Sequence, residues 1–151
     1  MTAQMPEVLI MDGMSHAMHS LPLGRYFADS SRRPALRHPH TACWRGYVGT
    51  WEVANDKLYL VGFEGWAADG SKLTLGDIFP DRIGRVLASW FSGKVKIPSG
   101  ELLQYNHLGF ASAYEADIIL KFRKGVLLSR RVRDNRRSLF SKFMRYLWGS
   151  L

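Results

Sequence analysis

His38-Pro39-His40, Cys43 with the distant His107, the carboxylates Glu52, Glu115 and Asp117, and a run of arginines near the end of the chain are the residues whose types or spacing suit chemistry. A His-x-His pair can place two imidazoles on one metal ion, and zinc accepts such ligands. No Cys pair or carboxylate follows at a matching spacing, so these read as exposed loop histidines, and neither metal nor cofactor is expected. A lone Cys with a distant His can form a nucleophile–base pair. That chemistry needs a lowered thiol pKa, and Cys43 beside Trp44 at a strand start reads as a small buried apolar residue. Glu115 and Asp117 alternate with apolar neighbours and read as solvent-facing. Glu52 follows Trp51 inside an aromatic strand; if buried it needs a partner, which Arg45 or His107 can supply. Glu52, His107 and Tyr114 are therefore the side chains from which a pocket amid aromatics would be built.

The arginine run carries more information. The net charge is +8, yet residues 1–120 are balanced to within one charge, and residues 121–151 carry ten Lys or Arg against Asp134 alone. Arg130, Arg131, Arg133, Arg136, Arg137, Lys142 and Arg145 form the expected partner-binding set. Arginine dominates it, which suits bidentate contacts to phosphate. Three anionic partners fit: a nucleic acid, whose phosphates give salt-dependent affinity, an anionic membrane surface, or an acidic protein. The bland alternative is a helix docked on its own sheet with its cations in water. Trp44, Tyr47, Trp51, Tyr59, Phe63 and Trp66 have only Arg45 and Lys57 as basic residues among them, beside Glu52, Asp56 and Glu64, and read as core rather than as a base-stacking platform.

The elements that must position these groups read as mostly β. Glu7–Met11 and Met14–Met18 flank the Asp12-Gly13 turn, and Trp44–Val53 and Lys57–Phe63 flank Asn55-Asp56. Lys57–Phe63 is apolar on both faces, which predicts a central strand. Within Ile83–Phe91 a strand is favoured over residues 86–91. Lys94–Ile97 and Glu101–Tyr105 read as a hairpin about Pro98-Ser99-Gly100. Tyr114–Phe122 alternates cleanly, and Lys124-Gly125 turns it into Val126–Ser129. Residues 20–43, with Pro22, Pro34 and Pro39, read as a long irregular loop. Leu139, Phe140, Phe143, Met144, Leu147 and Trp148 make a helical apolar stripe, so residues 130–151 read as a basic amphipathic helix docked on a 1–129 body. The expected fold is an antiparallel sheet or partly open barrel of about seven to nine strands with a C-terminal α-helix, the alternative being α+β.

Cys43-Trp44-Arg45-Gly46-Tyr47, Thr50-Trp51-Glu52, Lys57-Leu58-Tyr59-Leu60, Trp90-Phe91-Ser92-Gly93, Ile97-Pro98-Ser99-Gly100, His107-Leu108-Gly109-Phe110 and Tyr114-Glu115 together form a long pattern. Through it the chain, from about Glu7 to Leu128, resembles a family of small uncharacterised bacterial proteins. The resemblance implies a bacterial, cytoplasmic protein and implies no mechanism; the basic end beyond Ser129 lies outside it. A single cysteine excludes an internal disulfide and any Cys-based zinc site. No stretch nears the ~18 apolar residues of a membrane span, and Val8–Met11, preceded by Glu7, is too short for a signal peptide core. These features lead to a non-enzymatic binding module whose cationic C-terminal helix meets an anionic partner. The alternative is a small enzyme or ligand-binding protein with its pocket near Glu52, His107 and Tyr114.

Overall fold

Turn chemistry sets the local pairings. In the computed structural model, which describes residues 2–136 and 144–148, three tight hairpins turn on consecutive left-handed residues. They are Asp12-Gly13 (φ 54° and 74°), Asn55-Asp56 (51° and 58°) and Lys124-Gly125 (49° and 80°). Two successive positive φ angles match the right-handed twist of the flanking strands. These turns join β1 (Glu7–Met11) to β2 (Met14–Met18), β3 (Tyr47–Ala54) to β4 (Lys57–Trp66), and β8 (Ala113–Arg123) to β9 (Val126–Asp134). The remaining elements are α1 (Pro22–Phe27), β5 (Lys72–Thr74), α2 (Leu75–Ile78), β6 (Val86–Leu87) and β7 (Gly93–Gln104).

The strands form one sheet in the order β2-β1-β3-β4-β9-β8-β7, with β5 and β6 also on β4. It is mixed: β1 runs parallel to β3, and the other pairings are antiparallel. The two ends of this order curl towards one another. Beyond β2, the His19 amide donates to the Lys96 carbonyl at 2.8 Å, and the Lys96 amide donates to Ser20 Oγ at 2.9 Å. No ladder forms there, so the sheet stays open, as a partly open barrel does. β4 occupies its centre, as its two apolar faces predict, with Leu58 and Leu60 fully buried. With Leu9, Trp51, Val95, Ile97, Leu120 and Phe122 they form the core. A short helical segment at 144–148 follows, and its Tyr146 and Trp148 side chains are exposed.

Four sequence expectations are corrected. Residues 20–43 are not wholly irregular: α1 starts on Pro22, whose fixed φ suits a first helical turn, and it buries Leu23 and Phe27 one turn apart. Pro98-Ser99-Gly100 is not a hairpin turn. β7 runs through it to Gln104, absorbing the extra residues as a register shift against β8 between Ser99 and Leu102, with Gly100 at φ +80°. An edge strand tolerates proline at such an irregularity because its outward N–H is not needed. Residues 130–134 are not helical, since the β8–β9 hairpin carries its register on to Asp134. Arg130, Arg131 and Arg133 therefore stand on a strand. Asp117 is not solvated as expected but 4% exposed, held under Arg133 and Asn135.

The deepest polar group is Glu7, 0% exposed, on the same face of β1 as Leu9 and Met11. Its Oε2 accepts from Arg45 Nη2 at 2.9 Å and from the Gly49 amide at 2.7 Å; its Oε1 accepts from Trp51 Nε1 at 3.3 Å. Arg45 Nη1 also donates to the Met5 carbonyl at 2.8 Å. Burial pushes the Glu7 carboxyl above its ordinary range, while the Arg45 charge and the donors from Gly49, Arg45 and Trp51 pull against that shift. Glycine at 49 is dictated by space: a Cβ there would lie 2.7 Å from Glu7 Oε1 and 2.9 Å from Trp51 Nε1.

Arg45→Met leaves a buried carboxylate without its counter-charge and is expected to cost about 3–5 kcal/mol. Gly49→Ala is expected to cost about 1–3 kcal/mol through overpacking. Glu52→Gln, at a half-buried and unpaired position, is expected to stay within about 0.5 kcal/mol. Urea unfolding midpoints check the ranking, and equal shifts for all three would contradict it.

Candidate anion-binding face

Residues opposite each other in an antiparallel pair share a face of the sheet. Val95 opposite Leu120 and Ile97 opposite Ile118 mark the inward face of β7 and β8. On the outward face Lys94 stands opposite Lys121, and Lys121 opposite Ser129 of β9; in the next row Lys96, Ile119 and Arg131 lie side by side, and Asp117 and Arg133 follow. Same-face residues lie about 6.6–6.8 Å apart along a strand, and strands about 4.8 Å apart, so Lys94, Lys96, Lys121 and Arg131 form a compact grid of positive charge.

Their partners differ. Arg133 is committed to Asp117 at 2.5 Å, and Asn135 Nδ2 donates to the same oxygen at 2.9 Å, which ties the end of β9 to β8. Arg130 shares the opposite face with Leu120 and reaches Asp12 at 3.2 Å. Arg136 pairs with Asp134 at 3.3 Å. Lys94, Lys96, Lys121 and Arg131 have no ion pair among the described residues. Of the expected cationic set, only Arg131 thus joins the grid; Arg133 lies on the same face but is paired with Asp117, Arg130 and Arg136 are paired elsewhere, and Arg145 is exposed on the segment 144–148. Arg137 and Lys142 lie outside the described residues. Sequence reasoning missed Lys94 and Lys96. Their alternation with Val95 and Ile97 was a usable signal, hidden by reading Lys94–Ile97 as a short hairpin arm.

The expected pocket is not assembled. Tyr114 lines a cavity of about 290 Å³ that takes in neither Glu52 nor His107. Glu52 lies opposite Tyr59 on β3, and His107 is exposed. Among the described residues no side-chain hydrogen bond or ion pair joins the three, and Arg45, one expected partner of Glu52, holds Glu7 instead. Cys43 is fully buried, with its Sγ donating to the Tyr47 carbonyl at 3.5 Å. His38 packs on Trp44 with ring centroids 4.3 Å apart, and His40 Nδ1 accepts from the Ala42 amide. Among the described residues no group of three or more His, Cys, Asp or Glu is placed to hold a metal, and no helix is long and apolar enough to cross a membrane.

His19, beside Tyr114, is a titratable group that sequence reasoning left unassigned. Its ring stacks on Phe110 at 4.9 Å and meets Tyr114 edge-on at 6.0 Å. Burial lowers its pKa from 6.5, the Lys96 charge lowers it further, and Asp117 opposes both. The unfolded chain therefore takes up a proton near pH 6.5 that the folded chain refuses, so this contribution to stability is lost as pH falls through 6.5. His19→Gln is expected to lessen the drop in urea midpoint between about pH 7.5 and about pH 5.5. An equal drop in both proteins would refute the assignment. Comparison of the chain with protein-family models, with curated proteins and with solved structures gives no match.

Proposed function

We propose that this protein is a non-enzymatic binding module that engages the phosphate backbone of a nucleic acid through the outward face of β7–β9, continued by the basic stretch after β9. The observation that carries this reading is the direct apposition of Lys94 and Lys121, with Lys96 and Arg131 in the neighbouring row. Like charges directly opposite in a sheet destabilise it. A sheet face that keeps four cations in adjacent rows, with no ion pair among the described residues, is suited to a polyanion that neutralises them on binding. Release of condensed counterions from such a polymer supplies the driving force. Arg131 adds a planar fork that matches phosphate geometry. Arg145, exposed on the segment 144–148, adds a further cation, and the expected bacterial cytoplasm is where such a partner is met.

The test is fluorescence anisotropy with labelled single-stranded RNA and duplex DNA across a salt series, with anionic liposomes as a third ligand. Each lost phosphate contact lowers the slope of log affinity against log salt by about 0.7–0.9. The triple variant Lys94→Ala, Lys121→Ala, Arg131→Ala is therefore expected to lower the slope by about two to three. Unchanged slope and affinity in that variant would overturn the reading. Binding to liposomes alone would reassign the face to a membrane surface.

A further inference from the structure

Two cavities flank Phe110. One, of about 290 Å³, lies against His19, Tyr105 and Tyr114; the other, of about 280 Å³, lies against Leu21, Trp44 and Arg45. Gln4, Gly109 and Phe110 line both. Each alone falls just short of the ~300–1,000 Å³ typical of ligand pockets, and together they fall within that range.

Among the described residues, two buried side-chain nitrogen or oxygen atoms lack a hydrogen-bond partner: His19 Nδ1 and Arg45 Nε. His19 lines one cavity and Arg45 the other. Unpaired buried polar atoms are rare in native structures and ask for a partner. Arg45 is held hard: its side chain is 10% exposed, and both terminal nitrogens are already engaged by Met5 and Glu7. Nε is the one nitrogen of its guanidinium that donates to nothing among the described residues.

The chemistry of a ligand follows from three constraints. Glu7 already neutralises Arg45, so a second anion would leave an uncompensated negative charge in a buried site. The ligand is therefore uncharged. The Phe110 ring lies parallel to the His19 imidazole, 9° between planes, so the space over His19 fits a flat ring. The unpaired Arg45 N–H calls for an acceptor. Phe110 itself sits on the connection between β7 and β8, next to Gly109 at φ +56°, where an added Cβ would meet nothing within 4 Å. A backbone hydrogen bond from Gln4 to the Gly109 carbonyl at 3.1 Å ties that connection to the N-terminal segment.

We propose that the two cavities are halves of one site for a small, planar, uncharged ligand bearing a carbonyl acceptor, which displaces the Phe110 ring from His19. Phe110 acts as a plug that fills the ligand's place without satisfying either nitrogen. The site differs from the cationic face in its lining, although Lys96 of that face acts on His19 through its charge.

Saturation-transfer NMR with benzamide, benzoate and the non-planar cyclohexanecarboxamide tests it on the full chain. Benzamide is expected to bind at least tenfold better than either of the others. Phe110→Ala is expected to tighten benzamide binding several-fold by removing the plug, and Trp44→Ala, at a position 53% exposed, to weaken it. Both variants are checked for native circular dichroism first. Absence of benzamide binding in both wild type and Phe110→Ala would overturn the proposal. So would equal binding of benzoate, or benzamide binding indifferent to both substitutions.

Discussion

A carboxylate with no access to water holds the parallel pairing of β1 and β3. Glu7 enters the sheet on the same face as Leu9 and Met11, and Arg45, Gly49 and Trp51 close around it from one short stretch of chain. The arrangement fixes register. A slip of one residue in β1 would turn Glu7, Leu9 and Met11 to the opposite face together, leaving Arg45 buried without its partner. Buried ion pairs contribute little net stability compared with well-packed apolar residues, and their attested use is to specify one arrangement among several. Here the specified arrangement is the attachment of the β1–β2 hairpin, which then meets β7 through His19 and Lys96.

That attachment determines how the cationic face can exist. The β7–β9 unit is joined to the rest of the sheet by the single pairing Lys57–Val126 on one side and by the His19–Lys96 contact on the other. Few ladder bonds hold it, so packing of Val95, Ile97, Leu120 and Phe122 on the common core must do so. All of that packing uses the inward face. On the outward face Ile119 and the ion-paired Asp117 are buried, and Lys94, Lys96, Lys121 and Arg131 have no ion pair among the described residues.

What could be read from the sequence was what is encoded locally. β1 and β2, the β3–β4 hairpin and β8 follow from alternation of period two and from turn residues that accept positive φ. The course of β9 beyond Ser129 was not legible, because residues 128–134 are exposed on both faces and carry no apolar alternation. Pro98-Ser99-Gly100 specifies a turn and a bulge with the same residues, and only the partner strand decides between them. Glu7 shows where local reading ends. It shares the buried face of Leu9 and Met11, yet its ligands lie about forty residues away across a parallel pairing, which has no signature in a short window. The grid of lysines was hidden for a related reason: Lys94 and Lys96 meet Lys121 and Arg131 only once the register of three strands is known.

The three left-handed turns have a kinetic consequence. Each hairpin they close joins neighbours in sequence, so its loop-closure entropy is small and it can form early. The bond between Arg45 and Glu7 spans 38 residues and closes a loop that includes α1. Its entropy must be met before the carboxylate gains any donor, so loop closure alone predicts that the β1–β3 pairing follows the hairpins. Until then Glu7 remains hydrated and carries no desolvation penalty. Its dehydration thus coincides with the arrival of Arg45 and the Gly49 amide, and the chain need not pass through a state in which the charge is buried alone.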